Sequence, residues 1–220
     1  MFPKAWVGRT LFGHHGLSYV VPQNDILLVV AQSLIGIGIS PGAIAWTDNE
    51  PVLCDRLLLL DGLTFHGQYQ SGLCARALQA LAADVPAAPP WKLFISRRAR
   101  DRPLLNEDRV AEVLRERGFR VVDPGRMSLR EQIAVFKGAQ IVVGALGAAL
   151  TNIAFCASGT PVIALTSASF PDTFFWFLAQ HPRLDYREIR GTDIAAPGDP
   201  QPWNKGFTLT EADIGCLATL

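Results

Sequence analysis

The sequence is short of the residues that build metal sites and disulfide frameworks. Its four cysteines, Cys54, Cys74, Cys156 and Cys216, are far apart and none forms a CxxC pair. The four histidines, His14, His15, His66 and His181, complete no zinc-ligand spacing with them. Reduced thiols in a cytoplasmic protein are therefore the expectation. An excess of either charge is also missing: 20 Lys and Arg stand against 20 Asp and Glu, and the isoelectric point is near 6.9. That balance argues against a nucleic-acid partner and against a polybasic membrane anchor. The start, MFPKAWVGRT, lacks the basic region and apolar run of a signal peptide. Residues 26–47 carry no charge, but Gln32, Ser33, Gly36, Gly38, Ser40, Pro41 and Gly42 interrupt them, which favours passage through a soluble core over a membrane span. No P-loop, serine-nucleophile elbow, kinase signature or GxGxxG loop is present.

What is there is apolar. Hydrophobic residues make up 49% of the 220, enough for one good core or two small ones. In the first part, residues 26–30 and 56–60 read as buried strands, and residues 32–37 as a piece of helix. Residues 71–83 have Leu73, Ala77, Leu78 and Leu81 near a 3.6 period, a helix signal. Residues 84–91 then hold three prolines, which deny backbone donors and helix-interior geometry. The organisation expected is a partial N-terminal α/β lobe over residues 1–85, a hinge over 86–91 and a C-terminal α/β domain over 92–220.

Beyond the prolines, strands and helices alternate. KLFIS (92–96), FRVVD (119–123), QIVVG (140–144) and TPVIAL (160–165) read as strands. Helices are expected from an Asn106 cap to Arg117 with Gly118 at C′, from Ser128 to Lys137, and from a Gly/Ala-rich turn to about Phe155. Residues 174–178 form an aromatic cluster, 196–206 a loop, and 210–220 a closing helix capped by Thr210 with Asp213. Strands separated by helices of this length predict βαβ units in a Rossmann-like, mostly parallel sheet with helices on both faces.

Chemistry is expected at the carboxyl edge of that sheet. Of the 20 basic residues, 12 lie between Lys92 and Lys137, against 7 acidic ones, so this stretch suits an anionic ligand. Ser96 can donate a hydrogen bond, and Arg97 and Arg98 offer forks of N–H donors that fit phosphate oxygens; a salt bridge to Asp101 or Glu107 is the structural alternative. In GALGAALTN, Gly144 and Gly147 permit tight backbone paths, Ala148 close approach, and Thr151 and Asn152 add polar groups at a helix start, where free N–H groups can hold a phosphate. A tightly packed turn explains the same residues without a ligand. Glu131 has two accounts: a capping box with Ser128, or a carboxylate for vicinal ribose hydroxyls. Asn106, Glu107 and Asp123 carry the same ambiguity. His66 stands in a loop from which it can approach an acceptor, although a lone loop histidine is usually not catalytic.

In order, KLFISRR, LLNEDRV, GFRVVDPGRMSLREQIAVFKGAQIVVGALGAALTNIAF and GTPVIAL resemble the C-terminal part of glycosyltransferase family 61 over residues 91–165, more faintly over the first 85. The resemblance implies a GT-B arrangement of two lobes over a cleft, here with an incomplete first lobe on the acceptor side. It implies inverting, metal-independent transfer from a nucleotide sugar, often UDP-linked, to a glycan or lipid-linked saccharide acceptor, with no cofactor. Arg97 would hold the diphosphate, the 144–152 loop would line the donor pocket, and Glu131 would lie near the nucleoside. The family loop usually reads Gly-Pro-His-Gly-Ala, and Leu146 stands in the place of its histidine. The expectation is a glycosyltransferase of the capsular polysaccharide type, cytoplasmic or peripheral at the inner membrane. The competing expectations are a degenerate nucleotide-sugar-binding or scaffolding protein, and a different nucleotide-dependent enzyme. A homodimer or a partner supplying the missing lobe goes with the short first part.

Overall fold

The structure, a computed structural model, describes residues 2–13, 16–23, 27–48, 50–65, 69–97, 102–194 and 205–220. Arg98, Asp101, His14, His15, His66 and most of the expected 196–206 loop lie outside them. The chain forms two compact units, Met1–Val85 and Pro86–Leu220.

Among its described residues the first unit has the α-helices α1 (Phe2–Phe12), α2 (Leu27–Gly36) and α3 (Gly72–Ala82). Two short strands, β1 (Tyr19–Pro22) and β2 (Ile44–Thr47), pair in parallel, and β3 (Thr64–Phe65) and β4 (Tyr69–Gln70) form a small hairpin. Ser71 caps α3 by accepting from the Leu73 N–H. Val7, Leu63 and Cys74 form a small core with Trp6, Leu60 and Leu73 against it. Two expectations fail here. The stretch from Leu27 onward is helix, not strand: an uninterrupted apolar run reads the same in both states. Residues 56–60 form no strand. Their side chains lie largely outside the core, Leu57 at 70% and Leu59 at 79% exposed, so the apolar run reflected a surface rather than a buried element.

The second unit is a mixed α/β body around a six-stranded, mostly parallel sheet ordered β10-β9-β8-β7-β5-β6. The strands are β5 (Trp91–Ile95), β6 (Phe119–Val122), β7 (Ala139–Ala145), β8 (Pro161–Ser167), β9 (Asp185–Ile194) and an antiparallel edge strand β10 (Gly206–Thr208). Between them run α4 (Glu107–Glu116), α5 (Leu129–Lys137), a 3-10 helix (Ala148–Phe155), α6 (Phe174–Gln180) and, last, α7 (Glu211–Leu217). Phe94, Val143, Ala145, Ile163 and Leu165 share a core with Val110, Val113 and Leu114 of α4 and Ile214 and Leu217 of α7. The alternate residues Leu93, Ile95, Val142 and Ala164 are equally buried. Burial on both faces is why these strands read as unbroken apolar runs.

Helix ends follow local chemistry. Gly118 adopts φ +82°, the left-handed conformation that ends α4. Ser128 with Glu131, and Thr210 with Asp213, form full capping boxes. Asn106 holds the cap position of α4 but caps nothing with its side chain. Its amide instead donates to the Leu209 carbonyl at 2.8 Å and accepts from the Leu209 N–H at 3.1 Å, tying α4 to the segment after β10. The ten-residue strand β9 has no counterpart in the sequence reading, because Arg187, Glu188, Arg190 and Asp193 break its apolar pattern. The proline-rich segment docks on its own unit, the Ala88 N–H donating to the Ala134 carbonyl.

Candidate functional site

β5 has β6 on one side and β7 on the other, so the chain reverses its direction of winding between β5 and β7. In open parallel sheets the carboxyl ends of two such strands leave a crevice where ligands bind. Ile95 and Gly144 are register partners. The segments Ser96–Arg97 and Leu146–Gly147 therefore leave the sheet side by side at that point.

Arg97 and Gly147 meet there. A Cβ on Gly147 would lie 2.8 Å from both Cδ and Cζ of Arg97, closer than side-chain atoms pack. Glycine at 147 thus makes room for the arginine, and its φ of 170° is extended backbone open to any residue. The guanidinium also donates to the Arg102 carbonyl at 3.4 Å. Gly144 serves a different contact: a Cβ there would fall 2.8 Å from the Ile95 Cβ, so the bare backbone lets β5 and β7 approach.

Glu107, the first residue of α4, accepts from the Ser96 hydroxyl at 2.6 Å and from the Arg97 backbone N–H at 3.1 Å. The single Ser96 proton thus goes to this carboxylate, and both lone pairs of the hydroxyl oxygen remain as acceptors.

The other expected residues fall around this point. Leu146 is buried, its N–H donating to the Leu165 carbonyl at 2.9 Å. Ala148 is exposed and Thr151 half-buried on the 3-10 helix. Asn152 is buried, and its amide donates to Gln132 at 2.9 Å and to the Ala149 carbonyl at 3.0 Å. The Gln132 amide donates in turn to the Met127 carbonyl, so this polar pair locks the 3-10 helix to α5. Glu131 accepts from the Ser128 hydroxyl and the Ser128 N–H, both at 2.7 Å, and these bonds hold its carboxyl below the ordinary value. Asp123 accepts from the Gly125 N–H at 3.0 Å and pairs with Arg126 at 3.3 Å, closing the turn after β6.

Further pairings around the loop after β8 and along β9 were not visible in the sequence. The Arg102 guanidinium lies over the Phe170 ring, 4.4 Å from its centroid. Arg190 donates to the Phe170 carbonyl at 3.0 Å and pairs with Glu188 at 2.6 Å, holding the loop after β8. Tyr186 donates to the same Glu188, and burial first, then that carboxylate, push its phenol up. Beside them Asp193 faces Ser169 and Ser167. Burial works against its charge, but hydrogen bonds from the two serines and nearby Lys205 outweigh it and hold the carboxyl low. Residue spacing does not signal Arg102 on Phe170, Arg190 on the Phe170 carbonyl or Asp193 beside Ser169, because each of these joins segments far apart in the chain.

Among the described residues no group of three or more His, Cys, Asp or Glu is placed to hold a metal ion. No helix among them is long and apolar enough to cross a membrane. No curated protein matches the chain. The family model described as Glycosyltransferase 61 matches residues 5–163, which takes in most of the first unit and the strands β5, β6 and β7 around the winding reversal. With that match over well above half its length, the chain belongs to glycosyltransferase family 61.

Proposed function

We propose that the second unit binds a nucleotide-sugar donor, UDP-linked, and that the chain transfers its sugar with inversion to a glycan or lipid-linked acceptor. One observation carries the reading: the Arg97 guanidinium rests against Gly147 at the point where the sheet reverses its winding. An arginine fork there suits two phosphate oxygens. In the reaction an acceptor hydroxyl, losing its proton to a base, attacks the anomeric carbon as the bond to the diphosphate breaks. The charge that develops on the leaving diphosphate is met by Arg97 and by N–H groups of the 144–152 turn, with no metal required. Ser96, its proton on Glu107, suits a sugar or ribose hydroxyl as an acceptor, and Glu131 reaches a nucleoside at the expense of its capping bonds. The exposed leucines 53, 57 and 59 of the first unit suggest cover by a second copy or a partner on the acceptor side.

The test is isothermal titration of the full chain with UDP and UDP-sugars, beside Arg97→Ala. Saturable binding that weakens at least tenfold in the variant supports the reading. No heat at millimolar UDP defeats it.

A second reading has an observation of its own. Leu146, in the place of the family's histidine, is buried and offers no side-chain donor or proton carrier. A non-catalytic nucleotide-sugar-binding protein would bind UDP and transfer nothing. Donor-dependent release of UDP with an added acceptor excludes it.

A further inference from the structure

We propose that Glu107 is a positioning residue for the donor site: by clipping Ser96 and Arg97 to the start of α4, it sets the direction in which the Arg97 side chain leaves β5. The inference rests on the reading of Arg97 as the diphosphate ligand.

The geometry is that of one carboxylate spanning two donors on consecutive residues. Oε1 takes the Ser96 hydroxyl at 2.6 Å and Oε2 the Arg97 N–H at 3.1 Å. The Ser96 N–H is itself held by the Val122 carbonyl of β6 at 2.9 Å. Three hydrogen bonds therefore fix two residues just past the strand, where a chain is otherwise free to turn. The anchor itself is rigid. Glu107 is at the first position of α4, where the helix dipole favours a carboxylate. The preceding Asn106 pins that helix start to the Leu209 backbone by two bonds. With the amide plane of Arg97 fixed, its Cα is held in place, and the side chain that leaves it runs against Gly147 and donates to the Arg102 carbonyl.

The carboxylate also decides which groups remain for a ligand. It takes up the Arg97 backbone N–H and the Ser96 proton, two neutral donors at the end of β5. An anion is then addressed by the guanidinium rather than by these donors. Neither Gln nor Asp can replace Glu107. Here the two donors are taken by two different oxygens, and Gln replaces one of these by an NH2 group that cannot accept, so one of the two bonds is lost in this arrangement. Asp keeps the charge but is shorter by one methylene and cannot reach both.

The experiment is a double-mutant cycle read by titration of UDP, and of uridine where it binds, into the wild type, Glu107→Gln, Glu107→Asp, Arg97→Ala and Glu107→Gln/Arg97→Ala. We expect UDP affinity to fall about tenfold in both Glu107 variants, with any uridine affinity unchanged. In the Arg97→Ala background, Glu107→Gln should cost no further affinity, since the two residues act as one unit. UDP binding that survives Glu107→Gln, or is restored by Glu107→Asp, overturns the proposal and leaves the donor-site reading intact. Additive losses do the same. A wild type that binds no UDP defeats the donor-site reading itself. Circular dichroism of each variant separates these outcomes from unfolding; if Glu107→Gln does not fold, Glu107→Asp carries the cycle.

Discussion

Gly147→Ala separates the site from the fold. The backbone at 147 is extended (φ 170°, ψ 176°), so alanine meets no backbone strain. The added Cβ would lie 2.8 Å from Cδ and Cζ of Arg97, roughly 1 Å inside a normal carbon contact. The obstructing atoms belong to a long, flexible side chain, so the arginine moves and the sheet does not. Stability should stay within about 1 kcal/mol of the wild type, since glycine to alanine in a permitted conformation also removes freedom from the unfolded chain. A displaced guanidinium, however, loses its charge-assisted hydrogen bonds to the diphosphate, worth about 1.5–3 kcal/mol. At 1.4 kcal/mol per tenfold, that is a loss of about 10- to 100-fold in UDP affinity. Thermal unfolding and titration calorimetry on the same preparation read both quantities. A folded variant that binds UDP as well as the wild type would refute the placement of the ligand at Arg97.

Gly144→Ala should behave in the opposite way: its Cβ would meet the Ile95 Cβ at 2.8 Å between two hydrogen-bonded strands, so we expect a loss of about 1–3 kcal/mol in denaturant unfolding. A variant as stable as the wild type would show that β5 and β7 can part. Cys54 and Cys216 are exposed while Cys74 and Cys156 are buried, and burial pushes the Cys156 thiol up to about 12. Ellman's reagent should therefore titrate two thiols in the native protein and four after denaturation; rapid reaction of a third in the native state would contradict the packing. The Glu131 carboxyl is held below its ordinary 4.5 by the Ser128 side-chain and backbone bonds. A lowered native value means that its contribution is complete above about pH 4.5 and is lost as the pH falls through the native value. Melting curves of the wild type and Glu131→Gln should accordingly differ at pH 6, and the difference should shrink as the pH falls below 4.5; a difference that does not shrink on acidification would deny the capping role.

The second unit was legible where a local rule decides the outcome. Apolar runs buried on both faces gave β5, β7 and β8, Gly118 marked the end of α4, and the Ser128–Glu131 and Thr210–Asp213 spacings marked two helix starts. Each of these depends on residues within a few positions of one another. The first unit was less legible, because an apolar run such as the one containing Leu27–Gly36 satisfies helix and strand alike until its neighbours are known. β9 was hidden for the reverse reason: its charged residues pair with the loop after β8 and with one another, so a strand position carries no apolar signature.

Sequence alone determined the order of strands and helices from β5 to β8, the concentration of basic residues after β5, and the resemblance that the family match bears out. Tertiary structure decided which of those residues meet. Ser96, Arg97, Glu107 and Gly147 come from a strand end, a helix start and a distant turn, and only the winding reversal between β5 and β7 brings them to one edge. The proton of Ser96 shows the limit of local reading. Its hydroxyl can donate or accept, and which it does is fixed by a carboxylate eleven residues away that only the docking of α4 places within reach.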